Sequence, residues 1–362
     1  MAIDEISIFR DQIDKLDREL WQILSERMDL TVQIKRLKNV ITDSAREEIV
    51  LSKASAVSQG LLTGGFCETL MKQIVQESTR LQKEPLTLVS FRGLHGSFGE
   101  LAVQKFSALQ QCSNSAAGIP SLELSEVYKS VIAGTTDYAV VPLEGAVDET
   151  ESDVLQLFID SGLYMVAEVL VDVSHTLLIS PGTSHRELQE AYSSVASLSR
   201  CSMFLKRNRL ISKPVVESTA AAQMLARGEI DGSAVISNAY AASLYGLEIL
   251  KDKIDDRANQ QIRYVVVGKT PSKEKGNRCS VYFDISHHSG SLQEILEVFS
   301  ASKINLLSIQ SISSAKSHSS VSFTLDFKGS DKDEVVLRTL EKVAGLTSNL
   351  RMLGCYFSKA AE

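Results

Sequence analysis

The first part of the fold is decided by residues 6–41, ISIFRDQIDKLDRELWQILSERMDLTVQIKRLKNVI. Apolar residues recur there in steps of three and four, at positions 6, 9, 13, 16, 20, 23, 30, 34, 37 and 41. This spacing predicts one long helix with a heptad seam, in which Arg27 fills the vacant place. A three-helix unit cannot bury so long a seam, so we expect the helix to pair with a second copy of the chain.

Two further helices are expected after the long one. Ser44 and Glu47 form a capping-box pattern, which predicts the start of the second helix. Glycines within residues 60–65 then separate it from a third helix, expected over residues 66–83. We therefore expect residues 1–84 to form an all-helical domain.

The pattern changes to short β-branched runs that alternate with helical stretches and glycine turns, which is typical of an α/β domain over residues 85–270. The expected strands are LTLVSF, DYAVVP, GLYMVAEVLV, HTLLIS, GSAVIS and IRYVVV. After a polar linker, residues 277–358 show strand and helix patterns in the order βαββαβ, which predicts a small ferredoxin-like domain. The fold class is multidomain α and α/β.

Composition excludes several classes of function. The net charge of -7 argues against a nucleic-acid surface, which needs a basic excess. The five cysteines are widely spaced with no CxxC pair, so neither a disulfide framework nor a metal site is expected. The N-terminus lacks a signal peptide pattern, and no apolar run approaches the length of a membrane span. We expect a cytoplasmic protein.

The helical domain carries cationic side chains at positions where its pattern predicts apolar residues. Burying the charge of Arg27 in the seam costs several kcal/mol of stability unless an anionic group pairs with it. An ion pair with an acidic residue of another helix would satisfy it. A bound dianion would also do so, because Lys38 lies ~16 Å further along the same helix and Ser78 and Gln82 share a face of the third helix. Arg10 is ~42 Å from Lys38, so it could join them only from a second chain.

This segment resembles the helical chorismate mutase family. The positions that match its motif are Arg10, Arg27, Lys38, Asp43, Arg46, Glu47, Ser78 and Gln82. The resemblance implies chorismate as substrate, prephenate as product and no cofactor. It also implies a dimer of interlocked helices in which each site takes one arginine from the other subunit. The connection from Lys38 to Asp43 is a few residues shorter than the family usually has.

The implied roles follow from a pericyclic rearrangement, which needs the right conformer and stabilisation of charge on the breaking ether oxygen. Arg10 and Arg46 would hold one carboxylate and Arg27 the other. Lys38 and Gln82 would donate to the ether oxygen.

The remaining matched residues have simpler alternatives. Glu47 would accept from the ring hydroxyl, or complete the capping box with Ser44, or both. Ser78 would assist a carboxylate. Asp43 would contribute to the site or only cap the second helix.

The middle segment resembles prephenate dehydratase, and the three segments in order resemble the bifunctional chorismate mutase/prephenate dehydratase of phenylalanine biosynthesis, in the shikimate pathway. The landmarks are GLHGSFGELA (93–102), DYAVVPLE (137–144), CSMFL (201–205), ESTAAA (217–222), LYGLEIL (244–250) and LGCY (353–356). The resemblance implies two α/β lobes with the substrate in the cleft between them.

The family's polar site motifs are changed in this chain. Ile262-Arg263-Tyr264 replaces Thr-Arg-Phe, Glu144-Gly145-Ala146 replaces Glu-Asn-Ser/Thr, Ser193-Ser194-Val195 replaces Ser-His-Pro, and Arg200 replaces a glutamine. In the family the threonine protonates the leaving hydroxyl. Loss of such a donor costs about 10²- to 10⁴-fold in rate. Dehydration of prephenate is therefore not expected to be efficient.

Five residues of the middle segment remain candidates for ligand binding: Glu144, Ser193, Ser218, Thr219 and Arg263. Ser218 and Thr219 would bind a carboxylate at a helix start or only cap that helix. Arg263 would anchor a carboxylate or pair with Glu144 or a linker acid. His175 is expected to be a hydrogen-bonded core residue.

The C-terminal segment resembles an ACT domain, the module that binds phenylalanine in this family. Gly290-Ser291-Leu292 matches its glycine-led helix start, but Gln310-Ser311-Ile312-Ser313 keeps only the serine of Glu-Ser-Arg-Pro. These changes weaken the expectation that an aromatic amino acid binds here as an effector. A role of the domain in dimerisation does not need these side chains.

The sequence favours a chorismate mutase with a divergent dehydratase-like domain and leaves alternatives open. The chain could still be fully bifunctional and form phenylpyruvate. Its middle domain could decarboxylate prephenate without aromatising it, or the last two domains could form a ligand-sensing regulatory module. An amino-deoxy analogue of chorismate is also a possible substrate.

Overall fold

The computed structural model describes residues 2–37, 43–57, 60–109, 116–145, 151–184, 186, 188–286, 288–312 and 320–359. None of the helices among them is long and apolar enough to cross a membrane.

The N-terminal part is helical. Its helices are α1 (Ala2–Leu37), α2 (Ser44–Ser55) and α3 (Gly64–Lys83). The side chain of Asp43 accepts a hydrogen bond from the backbone N–H of Arg46 at 3.0 Å and caps α2. The prediction that Ser44 occupies the cap of a capping box was therefore wrong by one residue, whereas the capping role of Asp43 is confirmed. A Cβ on Gly64 would lie 2.1 Å from the carbonyl oxygen of Ser55, so α2 and α3 meet closely.

Helix α1 has two different faces. Its apolar seam is exposed at Ile6, Phe9, Ile13, Leu16, Leu20, Ile23, Leu30, Ile34 and Leu37. The opposite side lies on the α/β part, where Val32 packs with Leu88 and Ile119. Arg36 pairs with Asp137 at 2.5 Å on the same side. These nine apolar side chains of the seam are thus left exposed in the part of the chain that the structure describes.

The described residues of the α/β part form ten strands and seven helices. The strands are β1 (Thr87–Arg92), β2 (Ala116–Ser121), β3 (Tyr138–Glu144), β4 (Tyr164–Val173), β5 (Thr176–Ile179), β6 (Glu190–Ser194), β7 (Ile211–Val215), β8 (Ala234–Ser237), β9 (Glu248–Lys251) and β10 (Gln260–Gly268). The helices are α4 (Phe98–Leu109), α5 (Leu124–Ala133), α6 (Glu151–Ser161), α7 (Val195–Arg200), α8 (Ser202–Arg207), α9 (Ser218–Arg227) and α10 (Ala239–Tyr245).

All six strands predicted in this part are present, and four were missed: β2, β6, β7 and β9. β2 and β7 contain proline, and β6 and β9 are short with few β-branched residues, so their sequences carry little strand signal.

The C-terminal part adds β11 (Arg278–Ser286), α11 (Ser291–Ala301), β12 (Leu306–Ile312), β13 (Ser320–Lys328), α12 (Glu334–Leu346) and β14 (Ser348–Tyr356). Its strands extend the first sheet, whose order is β12-β13-β11-β14-β4-β10-β3-β1-β2. The join is a parallel contact between Gly354 and Met165, and a Cβ on Gly354 would lie 2.1 Å from the carbonyl oxygen of Met165. The second sheet has the order β7-β6-β8-β5-β9 and forms a separate lobe.

Candidate active sites

The first site lies where α1 packs on α3. A guanidinium nitrogen of Arg27 donates to the hydroxyl of Ser78 at 2.5 Å, and the amide of Gln82 donates to the carbonyl oxygen of Thr31 at 2.9 Å. Ser78 is buried and Arg27 is half-buried. The spacing along α1 and α3 therefore brings these three predicted residues to one interface.

The other predicted residues of this site are spread more widely. Arg46 is exposed and Glu47 is half-buried, both in the first turns of α2. Lys38 lies outside the described residues. Arg10 is exposed on α1 and lies ~25 Å from Arg27 along the helix, so it cannot complete the same site within one chain.

The second site is a cavity of about 100 Å³ between the two lobes. Its lining includes Arg92, Ser97, Phe98, Leu122, Pro142, His175, Ser197, Arg200, Val216, Glu217, Ser218, Ile262 and Tyr264. Ile262 and Tyr264 reach it from β10, and His175 reaches it from the segment before β5. Ile262 thus presents an apolar side chain to the cavity at the position where the resembled family carries a threonine.

Arg200 crosses the mouth of this cleft. Its guanidinium donates to the side-chain oxygen of Gln260 and to the carbonyl oxygen of Gly145. A glutamine side chain is shorter than arginine and lacks the charged guanidinium that makes both contacts. The change to arginine therefore links helix α7 of the second lobe to the loop after β3 of the first.

Of the candidate ligand residues, Ser218 lines the cavity, but Ser193 and Thr219 do not. Ser193 donates to the carbonyl oxygen of Ile236 at 2.6 Å, and Thr219 donates to the carboxylate of Glu217 at 3.0 Å. Glu217 caps α9 by accepting from the backbone N–H groups of Thr219 and Ala220. The expectation that Ser218 or Thr219 caps this helix was therefore wrong. A carboxylate of the chain itself occupies the helix start.

Arg263 lies on the other face of β10, away from the cavity. It is buried and pairs with Glu144 at 2.6 Å, Glu168 at 2.8 Å and Asp326 at 3.1 Å, and it donates to the hydroxyl of Tyr356 at 2.6 Å. The ion pair with Glu144 that the sequence left open is thus present. Arg263 faces the opposite side of β10 from Ile262 and Tyr264, which line the cavity. Glu144 pairs with Arg263 beyond a register shift between β3 and β10, and it is not among the residues that line the cavity.

These side chains belong to a buried ion cluster that joins the α/β part to the C-terminal part. Arg278 of β11 completes it by pairing with Asp326 at 2.5 Å and Glu168 at 3.4 Å. Burial disfavours a charged Arg263, but Tyr356 and the surrounding carboxylates outweigh it and raise the pKa of the guanidinium. Arg263 therefore stays charged, and its ion pairs with residues of both parts join the two parts.

A hydrogen-bond chain that sequence reasoning missed ends on the cavity wall. His175 is hydrogen-bonded, as expected, and its Nδ1 lies 2.6 Å from Oδ1 of Asp255, whose Oδ2 accepts from the backbone N–H of His175 at 2.7 Å. The Nε2 of His175 lies 3.0 Å from Oγ of Ser197. Burial opposes the charged form of Asp255, but the hydrogen bonds from His175 outweigh it and lower the pKa of the carboxyl.

Ligand atoms of His175, Cys201 and Asp255 lie within 4.8 Å of one another. A metal would need the thiolate of Cys201, but burial and the nearby Asp255 raise the pKa of this thiol. Both oxygens of Asp255 are already hydrogen-bonded to His175. These groups fit a hydrogen-bond chain better than a metal site.

Comparison with known proteins agrees with this architecture. Residues 9–83 match the family model of chorismate mutase type II, and residues 89–272 match that of prephenate dehydratase. The bifunctional chorismate mutase/prephenate dehydratase of Pseudomonas aeruginosa is 28% identical, with 98% of each chain covered. The chain belongs to the bifunctional chorismate mutase/prephenate dehydratase family.

Two solved structures share the fold of about three quarters of this chain. The prephenate dehydratase from Arthrobacter aurescens in complex with L-Phe is 23% identical, with a TM-score of 0.69 over 76% of this chain and 91% of that one. A protein described as GqqA, a novel type of quorum quenching acylases, is 21% identical, with a TM-score of 0.66 over 76% of this chain and 100% of that one. At these identities the likeness shows the fold alone.

Proposed function

We propose that this protein is a chorismate mutase that converts chorismate to prephenate, and that its middle domain has lost efficient dehydration of prephenate. The observation that carries the first part is the contact of Arg27 with Ser78, next to Gln82, at the α1–α3 interface. Its support in sequence is the chorismate mutase type II match over residues 9–83.

The proposed mechanism uses binding and charge stabilisation only. Arg27, assisted by Ser78, holds one carboxylate, and Arg46 with Arg10 of a second copy holds the other. Gln82 turns its amide from the carbonyl oxygen of Thr31 to the ether oxygen, together with Lys38. Negative charge grows on that oxygen as the bond breaks, so donors fixed there lower the barrier. Glu47 accepts from the ring hydroxyl.

The exposed seam of α1 supports a proposed homodimer. Nine apolar side chains of the seam are exposed, and at about 25 cal/mol per Å² their burial against a second copy is strongly favourable. The distance from Arg10 to Arg27 supports the same pairing, because Arg10 could join the proposed site only from a second copy.

The chain is proposed to comprise a mutase domain over residues 1–84, a dehydratase-like domain over 85–270 and an ACT-like domain over 277–358. The strand order β12-β13-β11-β14, with α11 and α12 as crossovers, supports a ferredoxin-like form for the last of these. Gly290 begins α11 with φ +95°, which favours glycine and agrees with the glycine-led start of an ACT domain. An aromatic amino acid remains the proposed effector, and a cytoplasmic location remains a prediction.

The loss of dehydration rests on Ile262, which cannot protonate a leaving hydroxyl from the cavity wall. The same apolar wall favours a second candidate, decarboxylation of prephenate without loss of its hydroxyl. Product analysis distinguishes the two, because decarboxylation would yield a dihydroaromatic keto acid and a binding-only cleft would leave prephenate intact.

A mixing experiment tests the shared mutase site. Arg10→Ala and Arg27→Ala are each expected to be inactive alone. When they are unfolded together and refolded, half of the dimers are mixed, and each mixed dimer has one intact site, so about a quarter of the wild-type activity should return. Recovery of no activity from a folded dimer would contradict a site shared between chains. As a control, refolding Arg27→Ala with Ser78→Ala should restore nothing, because both changes affect the same half of a site.

A further inference from the structure

The hydrogen-bond chain Asp255–His175–Ser197 is arranged like the machinery of a serine nucleophile. Asp255 accepts from both the backbone and Nδ1 of His175, which leaves Nε2 free to accept the hydroxyl proton of Ser197 at 3.0 Å. The ring is held in place by an edge-on contact with Phe98, with centroids 5.4 Å apart. Ser194, which caps α7, donates to Oγ of Ser197 at 3.1 Å.

We propose that Ser197 is a nucleophile and that the cleft hydrolyses esters or amides of short apolar carboxylic acids. This activity goes beyond the proposed mutase and does not depend on it. Both Ser197 and His175 are among the residues that line the cavity, so the pair lies beside the space that a ligand would occupy. A hydrogen-bond chain that only stabilised the core would have no need to end there.

The proposed reaction has two balanced stages. Oγ of Ser197 attacks the acyl carbonyl carbon while its proton passes to Nε2 of His175, and the bond to the leaving group breaks as that group takes the proton. Water then attacks the acyl carbon of the serine ester and gives a proton to Nε2 of His175. The bond from that carbon to Oγ breaks as His175 returns the proton to Oγ, which releases the acid and restores Ser197. Asp255 is a positioning residue that keeps the imidazole in the required tautomer.

The rest of the cavity suits this chemistry. Phe98 and Gly99 line it in the first turn of α4, where backbone N–H groups have no acceptor within the helix and could stabilise an oxyanion. The apolar side chains of Leu122, Val216 and Ile262 form part of its wall. A cavity of about 100 Å³ limits the acyl group to a short chain. Ile262, which is unsuitable for dehydration, would contact that chain.

The test uses the full-length protein and two probes. Diisopropyl fluorophosphate should form a single adduct, which peptide mapping should place on Ser197. Hydrolysis of p-nitrophenyl acetate should fall about 10²- to 10⁴-fold in Ser197→Ala. Ser199→Ala is the matched control, because Ser199 lies exposed on the same helix and should leave both results unchanged.

Further variants separate the proposal from its alternatives. His175→Gln should also prevent the adduct, and Asp255→Asn should change the pH profile of ester hydrolysis. Chorismate turnover should be unchanged in Ser197→Ala, which shows that the variant is folded and keeps this test separate from the mutase proposal. The absence of an adduct, an adduct on another residue, or undiminished hydrolysis in Ser197→Ala would overturn the proposal.

Discussion

The helical site and the cleft between the lobes belong to one chain, yet they differ in what the polar side chains do. At the helical site, Arg27, Ser78 and Gln82 lie together with donors aimed at one interface. In the cleft, the position of the family's proton donor holds Ile262, and Arg263 points into a buried ion cluster. Both regions therefore match the same protein family, but the cleft lacks a polar side chain of the family pattern, whereas the helical site has its polar side chains together.

The packing of a strand does not depend on the polar groups that its side chains contribute to a site. Strand β10 pairs with β3 and β4 along its length, and its valines are buried in the core of the first lobe. These contacts depend on apolar volume and backbone hydrogen bonds, which a change at one cavity-facing residue does not disturb. A site residue contributes to turnover through a single polar atom, so one substitution can remove that contribution.

The largest expected effect concerns the buried ion cluster. Arg263→Ala leaves Glu144, Glu168 and Asp326 without their central cation and should lower the free energy of unfolding by about 3–5 kcal/mol. Urea denaturation measures the change. Arg257→Ala, at an exposed position of the same region, should change it by less than about 0.5 kcal/mol. Equal stability of both variants would mean that the cluster does not hold the α/β and C-terminal parts together.

The next effect concerns the helical site. Arg27→Ala should lower kcat/KM for chorismate by about 10²- to 10³-fold, because a fixed donor to a substrate charge is lost. Lys53→Ala, at an exposed position of α2, is the control and should have wild-type kinetics. A folded Arg27→Ala protein with full activity would remove the contrast between the two sites.

A gain of function in the cleft is expected to be smaller. Ile262→Thr returns one donor while the other changed positions remain, so phenylpyruvate formation from prephenate should rise by about 10-fold, below the 10²- to 10⁴-fold of a complete donor. Ile262→Val has nearly the shape of threonine without its hydroxyl and should give no rise. A rise with valine as well would show that cavity shape, and not proton donation, limits the reaction.

The smallest expected effect concerns His95, which links the two regions. Its ring nitrogens contact Asp29 of α1 at 2.8 Å and Glu100 of α4 at 2.8 Å. Burial disfavours the charged ring, but the two carboxylates outweigh it and raise the pKa of His95 to about 10.

Because the folded pKa of His95 is above the unfolded value, its contribution is fully present below about pH 6.5 and is lost as pH rises through about 10. The free energy of unfolding should fall by about 1 kcal/mol over this range, and His95→Gln should lack this component. Identical pH profiles for the two proteins would show that the contact between α1 and α4 adds no stability.

The sequence predicted the elements that carry strong periodicity. The heptad of α1, the β-branched runs of β4 and β10 and the βαββαβ order of the last segment all appear in the structure. The proline-containing strands β2 and β7 were missed because their residues have low strand propensity.

At the sites, prediction was limited by contacts between distant residues. Asp255 follows His175 by 80 residues, and Ser197 by 22, so no local spacing indicates their hydrogen bonds. The direction of Arg263 depends on partners as far away as Tyr356 in the last strand. A triplet motif indicates the strand, but only the packed sheets show which of its residues faces the cavity.

The most direct test follows products over time when the purified protein receives chorismate. Chorismate should be consumed and prephenate should accumulate in equal amount, with phenylpyruvate forming no faster than in a protein-free solution of prephenate. If phenylpyruvate forms as fast as chorismate disappears, the proposed loss of dehydration is wrong. The cleft would then contain a proton donor other than the side chain at position 262, because Ile262 cannot donate a proton.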